Sequence, residues 1–233
     1  MNRGTVFVTF KDRFMFKIAF RWVLPVLVMV PMLPGCAEGR KVYYAAWEKL
    51  GSEKRDILVS RVKAARDDQA VAKEQFKTTL QKFQEVTNFK GGELEAKYKK
   101  LNAEYERCKT KSDNVSTRVR KVETVAGDMF KEWAEENKQY TDRDKRRASD
   151  KMLDDTKVKY GQLIALMKKS EDKMKPVLAK FNDNVMWLKH NLNASAISSL
   201  QGTAGEIETD VTALIKDMES SIAEADDFVK QMK

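Results

Sequence analysis

From Leu58 onward, apolar residues recur at alternating spacings of three and four. This is the period of helices that meet along seams. A first run passes through Leu58, Val62, Ala65, Gln69, Ala72, Phe76, Leu80, Phe83 and Val86 and stops at Asn88-Phe89-Lys90-Gly91-Gly92. The adjacent glycines predict a turn. A second run holds Leu94, Tyr98, Leu101, Tyr105, Cys108, Ser112, Val115, Val119, Val122, Ala126, Met129 and Trp133, and no step in it departs from three or four. The third, entered after Thr141 and Asp142, either of which can cap it, carries Leu153, Thr156, Tyr160, Leu163, Met167, Ser170, Met174, Val177, Phe181, Val185, Leu188 and Leu192. Pro176 sits inside this run and is expected to kink it. After a break near Asn191 to Ser195 the fourth follows, with Ile197, Leu200, Ala204, Ile207, Val211, Leu214, Met218, Ile222, Ala225 and Phe228.

The first three helices are expected to span roughly 45 to 50 residues each, about 70 Å at 1.5 Å per residue, and the fourth roughly 38. Short turns between helices of similar length imply antiparallel neighbours. The predicted fold is therefore all-α, an elongated antiparallel coiled coil or up-down-up-down four-helix bundle. Across the first turn, positions whose numbers sum to about 180 should face each other, which brings Cys108 near Ala72. Around Asn193 the sum is near 387, pairing Trp187 with Leu200. The aromatics Phe76, Phe83, Tyr98, Tyr105, Trp133, Tyr160, Phe181 and Trp187 are expected in the core. Polar residues on the seams, namely Gln69, Ser112, Glu136, Thr156 and Ser170, either fix register or mark a face left open to a partner. Seams of this length close equally well within one chain or between two, so self-association stays open.

The first 36 residues follow a different pattern. A basic stretch with Arg3, Lys11, Arg13, Lys17 and Arg21 leads into the apolar run Trp22 to Leu33, then Pro34, Gly35 and Cys36. That order is n-region, h-region and small-residue cleavage site. The run is about a dozen residues against the roughly 20 a spanning helix needs, and prolines interrupt it. Leu33-Pro34-Gly35-Cys36 resembles the bacterial lipobox, and Met15 begins a compact signal sequence by itself. Residues 1–35 are thus read as a cleaved signal, 36–41 as an anchor segment lipidated at Cys36, and 42–233 as a single helical domain. Ala37 is not the aspartate that holds such lipoproteins at the inner membrane, so the resemblance implies the inner leaflet of the outer membrane, facing the periplasm, in a Gram-negative bacterium. Several acyl chains at about 0.8 kcal/mol per buried methylene would make the anchoring stable.

Removing residues 1–35 takes away five Lys/Arg and one Asp and lowers the net charge from +9 to +5. Acids and bases alternate along the helices, and export takes the chain away from nucleic acid, so nucleic-acid binding is discounted. The exception is Asp142-Arg143-Asp144-Lys145-Arg146-Arg147, whose cations Arg143, Lys145, Arg146 and Arg147 form a candidate membrane-proximal patch. Its bland reading is a solvated helix start. The turns near Asn88 and Asn193 should share the opposite, distal tip, and Phe89, Lys90, His190, Asn191 and Asn193 are the candidate partner contacts there.

Catalytic chemistry finds no foothold. His190 is the only histidine, which argues against a transition-metal site. Cys108 falls between Tyr105 and Ser112 on a seam and reads as a small packed hydrophobe. Gly91-Gly92 lacks the surroundings of a phosphate loop, and no motif sets a nucleophile beside a base. Asn114-Val115-Ser116 and Asn193-Ala194-Ser195 match a glycosylation acceptor pattern that a bacterial host leaves idle. No cofactor or metal is expected.

Five strings carry a wider resemblance: Tyr43-Tyr44-Ala45-Ala46-Trp47-Glu48, Lys54-Arg55-Asp56-Ile57-Leu58-Val59, Gly92-Glu93-Leu94-Glu95-Ala96-Lys97-Tyr98, Leu188-Lys189-His190-Asn191-Leu192-Asn193-Ala194 and Ser199-Leu200-Gln201-Gly202. The chain resembles, over essentially its whole mature length, a bacterial family of exported proteins catalogued as domain of unknown function 2959. The resemblance implies an envelope protein and brings no activity or catalytic residues with it. The expectation is a non-enzymatic, lipid-anchored scaffold or adaptor that binds an envelope protein. Two alternatives stand beside it: a periplasmic carrier holding a lipid or other apolar ligand between its helices, and an enzyme with an unrecognised site.

Overall fold

A computed structural model of the protein describes residues 54–232. The expected signal segment 1–35, Cys36, the anchor segment 36–41 and the part of the predicted first helix before Lys54 lie outside the described residues. Four helices account for nearly all the rest: α1 (Lys54–Thr87), α2 (Leu94–Asn137), α3 (Arg143–His190) and α4 (Ala194–Gln231). They belong to one compact unit.

Local chemistry sets each boundary. Gly91 and Gly92 have φ of 141° and 106°, a region that side chains with a Cβ rarely enter, so the chain turns there between α1 and α2. The Asp142 carboxylate accepts the N–H groups of Asp144 at 2.9 Å and Lys145 at 3.2 Å, satisfying donors that the first turn of α3 leaves without intrahelical partners. Asn193 does the same for α4 through the N–H of Ala196 at 3.0 Å. Helix α3 continues through Pro176, which lies on an exposed face where water can take the carbonyl that the ring leaves without a donor.

Each helix packs mainly against two others, α1 against α2 and α4, and α3 against α2 and α4. The order around the bundle is therefore the chain order, with the first helix beside the last. Neighbours run antiparallel. Between α1 and α2, Arg118 meets Asp68 at 2.7 Å and Gln75 meets the Glu104 carboxylate at 2.7 Å. Between α3 and α4, Lys180 meets Asp210 at 2.5 Å and Thr203 donates to Asn184 at 3.1 Å. Both registers follow the predicted sums. The pair α1 and α4 is tied by Arg66 with Asp226 at 2.5 Å and Lys73 with Glu219 at 3.2 Å, and α2 and α3 by Trp133 with Ser149 at 2.9 Å.

The core is the predicted set of seams. Phe76, Phe83, Leu101, Val115, Leu163, Met167, Met174, Phe181, Leu200, Leu214 and Phe228 are all buried. Each such side chain contributes roughly 1.5–3 kcal/mol on leaving water. The interhelix ion pairs are half-exposed and add at most about 1 kcal/mol each.

The pattern misplaces three residues. Trp187, expected in the core, is 48% exposed, because the α3 seam passes through Phe181, Val185 and Leu188, and at 100° per residue Trp187 falls beside it. Leu192 is likewise exposed, in the turn after α3. On α2, Glu136 is exposed and its neighbour Asn137 takes the buried position.

Candidate functional site

The bundle has two unlike ends. One holds the α1–α2 and α3–α4 turns; the other holds the α2–α3 turn, the start of α1 at Lys54 and the end of α4. The Gln201 side-chain amide donates to the Thr87 carbonyl at 2.7 Å and joins the two turns of the first end. At the second, Arg55 donates to the Met232 carbonyl at 2.6 Å.

The two-turn end brings the five predicted tip residues together. Lys90, His190 and Asn193 are exposed, and Phe89 and Asn191 half-buried. The two asparagines have local work: Asn193 caps α4, while the Asn191 amide donates to the Trp187 carbonyl at 3.0 Å and its backbone N–H to the Leu188 carbonyl at 3.2 Å. They shape the turn rather than hold groups free for a partner. His190 and Lys189 end α3, where positive charge suits the helix dipole.

Beside these lie the residues that sequence reasoning missed. Met186 is 51% exposed, Trp187 48% and Leu192 42%. Met186 and Trp187 flank the outward face of α3, on which Asp183 and His190 also lie, and Leu192 continues that face into the turn. Large apolar side chains left in water next to one another mark an interaction surface more often than chance exposure does. The signal available in the sequence was the position of Met186 and Trp187 between Val185 and Leu188: two consecutive residues off a seam already filled.

The basic segment sits at the opposite end, and three of its cations have acidic partners. Arg147 bonds Asp144 at 2.5 Å, Arg146 approaches Asp150 at 3.8 Å and Lys145 approaches Asp142 at 3.9 Å. With an acid within one helical turn of three of its four cations, the segment presents a weaker positive field than its composition predicts. Arg143, Lys145, Arg146 and Arg147 are all exposed, as a solvated helix start requires.

Other chemistry-bearing groups are structural. Cys108 is buried, and loss of solvent pushes its thiol up to about 12, against a hydrogen bond with Thr79 that pulls the other way. Such a thiol carries almost no nucleophilic thiolate at neutral pH. Burial pushes the Asp217 carboxyl up, but hydrogen bonds from Lys173 and Lys169 outweigh it and hold the group below its ordinary value. That is a salt-bridged carboxylate, charged at neutral pH, and a poor general acid. Among the described residues there is no group of His, Cys, Asp or Glu suited to a metal ion, and no helix long and apolar enough to cross a membrane.

Fold and site together define an all-α antiparallel four-helix bundle with Met186, Trp187 and Leu192 exposed near the two-turn end, while Tyr140, Met152 and Val158 are exposed towards the other. A family model described as "Protein of unknown function (DUF2959)" matches residues 43–232, and the chain belongs to that family. No curated protein and no solved structure matches it.

Proposed function

We propose that the protein is a lipid-anchored, non-enzymatic adaptor of the bacterial envelope, held to a membrane through Cys36 and binding a protein partner at the two-turn end. The observation that carries the binding role is the exposed group Met186, Trp187 and Leu192, set outside a core that α3 already closes with Phe181, Val185 and Leu188. Tryptophan and methionine are enriched where proteins meet, because each desolvates a large area with few polar atoms to satisfy. Lys189 and His190, three residues on from Met186 and Trp187 along α3, would form part of its rim. The anchoring role rests on the lipobox-like Leu33-Pro34-Gly35-Cys36.

The carrier alternative has less behind it. Phe83 and Phe181 meet edge to face, ring centroids 6.1 Å apart, on the bundle axis where an apolar ligand would have to lie. The enzyme alternative gains no residue from the geometry.

Metabolic labelling with a clickable fatty acid, on wild type and Cys36→Ser, tests the anchor, and photocrosslinking in cells from position 187 tests the tip. Position 71, where Val71 is 47% exposed midway along α1, is the control. The expected result is label that depends on Cys36 and a discrete crosslinked protein from 187 that 71 does not give. No label would remove the anchor, and equal crosslinking from both positions would remove the tip.

A further inference from the structure

Halfway along the bundle the apolar seams are interrupted at one level. Gln69 on α1, Ser170 on α3 and Ser221 on α4 are each fully buried. The Gln69 amide donates to Ser170 Oγ at 2.8 Å, Ser221 Oγ donates to Gln69 Oε1 at 2.9 Å, and Ser170 Oγ donates to the Met167 carbonyl at 2.8 Å. The remaining helix, α2, contributes Ser112, 5% exposed; the pairs Arg118 with Asp68 and Gln75 with Glu104 bracket it at the level of Gln69. Every helix thus supplies one polar residue to a single layer. The levels on either side are apolar: Ala65, Met167 and Ala225 on one, Ala72, Cys108, Met174 and Met218 on the other.

A seam that repeats every three or four residues is almost unchanged when one helix slides past another by a heptad, so apolar packing alone does not select a register. The polar layer does. Gln69 has one donor and one acceptor committed to serines on two different helices, both in the other half of the molecule. After a shift of one heptad that carries Lys73 to the level of Arg66, it would face the level of Val62, Val119, Leu163 and Phe228, whose buried side chains are all apolar. A hairpin made of α1 and α2 paired with a second copy of itself would lack Ser170 and Ser221 altogether.

We infer that the Gln69, Ser112, Ser170 and Ser221 layer is a register lock, which makes the α1–α2 hairpin close on the α3–α4 hairpin at one level and disfavours slipped or self-paired assemblies. The lock trades packing for uniqueness. It makes the level of Trp187 relative to the first hairpin a fixed property of the fold, and it is independent of what binds there.

The test uses the full chain with Gln69→Leu, Ser170→Ala and Ser221→Ala combined. Lys73 reports the register under zero-length carbodiimide coupling: in the native register it reaches Glu219 at 3.2 Å, whereas a one-heptad slip of α1 carries it to Asp226, the present partner of Arg66. In wild type the interhelix coupled peptide of Lys73 is that with Glu219 alone, beside any local product with Glu74 at 3.7 Å, and light scattering gives one species. In the triple variant helicity is kept and the melting temperature is unchanged or raised by about 2–4 °C for each kcal/mol gained, while Lys73–Asp226 peptides or a second species appear. A variant that keeps only the Glu219 product and a single species overturns the lock. So does one that loses its helical signal, since the layer would then be supplying stability rather than specificity.

Discussion

Trp133 and Trp187 hold similar places in the chain, each within the last turn or so of a long helix, and opposite situations in the fold. Trp133 is half-buried at the α2–α3 end, where its indole N–H donates to Ser149 Oγ at 2.9 Å, Ser149 donates to Asn137 Oδ1 at 2.6 Å, and the Asn137 amide donates to Asp150 at 2.7 Å. Four side chains form one chain of hydrogen bonds that stitches two helices together at their turn. Trp187, at the other end, lies 100° around α3 from the buried Leu188 and keeps 48% of its surface. The same residue type does structural work where the seam admits it and is left for other work where the seam excludes it. Composition and helical position do not distinguish the two; the angle between the side chain and the core does.

The comparison fails if the Trp187 end is simply loosely packed, and the largest expected effect addresses that. Phe181 lies inside α3 one to two turns before Trp187, fully buried and edge to face with Phe83. Phe181→Ala should destabilise the bundle by about 3–5 kcal/mol, the cost of a large cavity in a closed core. Chemical unfolding followed by circular dichroism measures it. A loss below about 1 kcal/mol would show a collapsible interior and make exposure of Trp187 a by-product of poor packing.

A smaller change sharpens the other side. Trp133→Phe retains most of the ring and removes the one donor, so it should cost about 1 kcal/mol, the net value of a hydrogen bond in a half-buried network. Combined with Ser149→Ala, which also removes the bond to Asn137, it should cost less than the sum of the two single changes, since both break the Trp133–Ser149 bond. Full additivity in that cycle would mean that the bond does not hold the end together.

Much of this was readable from the chain. Seams, helix number and antiparallel register follow from spacing because burial enforces the helical period at every buried position. The glycine turn and a cap at Thr141 or Asp142 follow from backbone needs that few other residues meet, whereas the capping role of Asn193 was not read. The outward faces were less legible. Trp187 and Leu188 are neighbours in sequence and 100° apart in space, and periodicity averaged over a run does not say which of two adjacent apolar residues stays outside. Glu136 and Asn137 exchanged places for the same reason, at a helix end where few later residues constrain the phase. The pairing within the basic segment was missed for a different reason. Its ion pairs stand at spacings of three and four, Asp142 with Lys145, Asp144 with Arg147 and Arg146 with Asp150, and were present in the sequence, but counting cations hid them.

The smallest expected effect on stability is the one on which the adaptor reading turns. Trp187→Ala removes an outward side chain from a helix face with no seam beneath it, so unfolding free energy should change by less than about 0.5 kcal/mol, as for surface substitutions generally. If the residue binds a partner, the same substitution should remove the crosslinked species formed from a neighbouring probe at Met186, since an interface tryptophan commonly costs 2 kcal/mol or more when truncated, about thirtyfold in affinity. The two numbers have to be read together. Unchanged stability with lost crosslinking separates Trp187 from Trp133, whose replacement should disturb the fold and spare the contact. Unchanged stability with unchanged crosslinking would leave the exposed tryptophan without a role at this end, and the partner surface would have to lie elsewhere on the bundle.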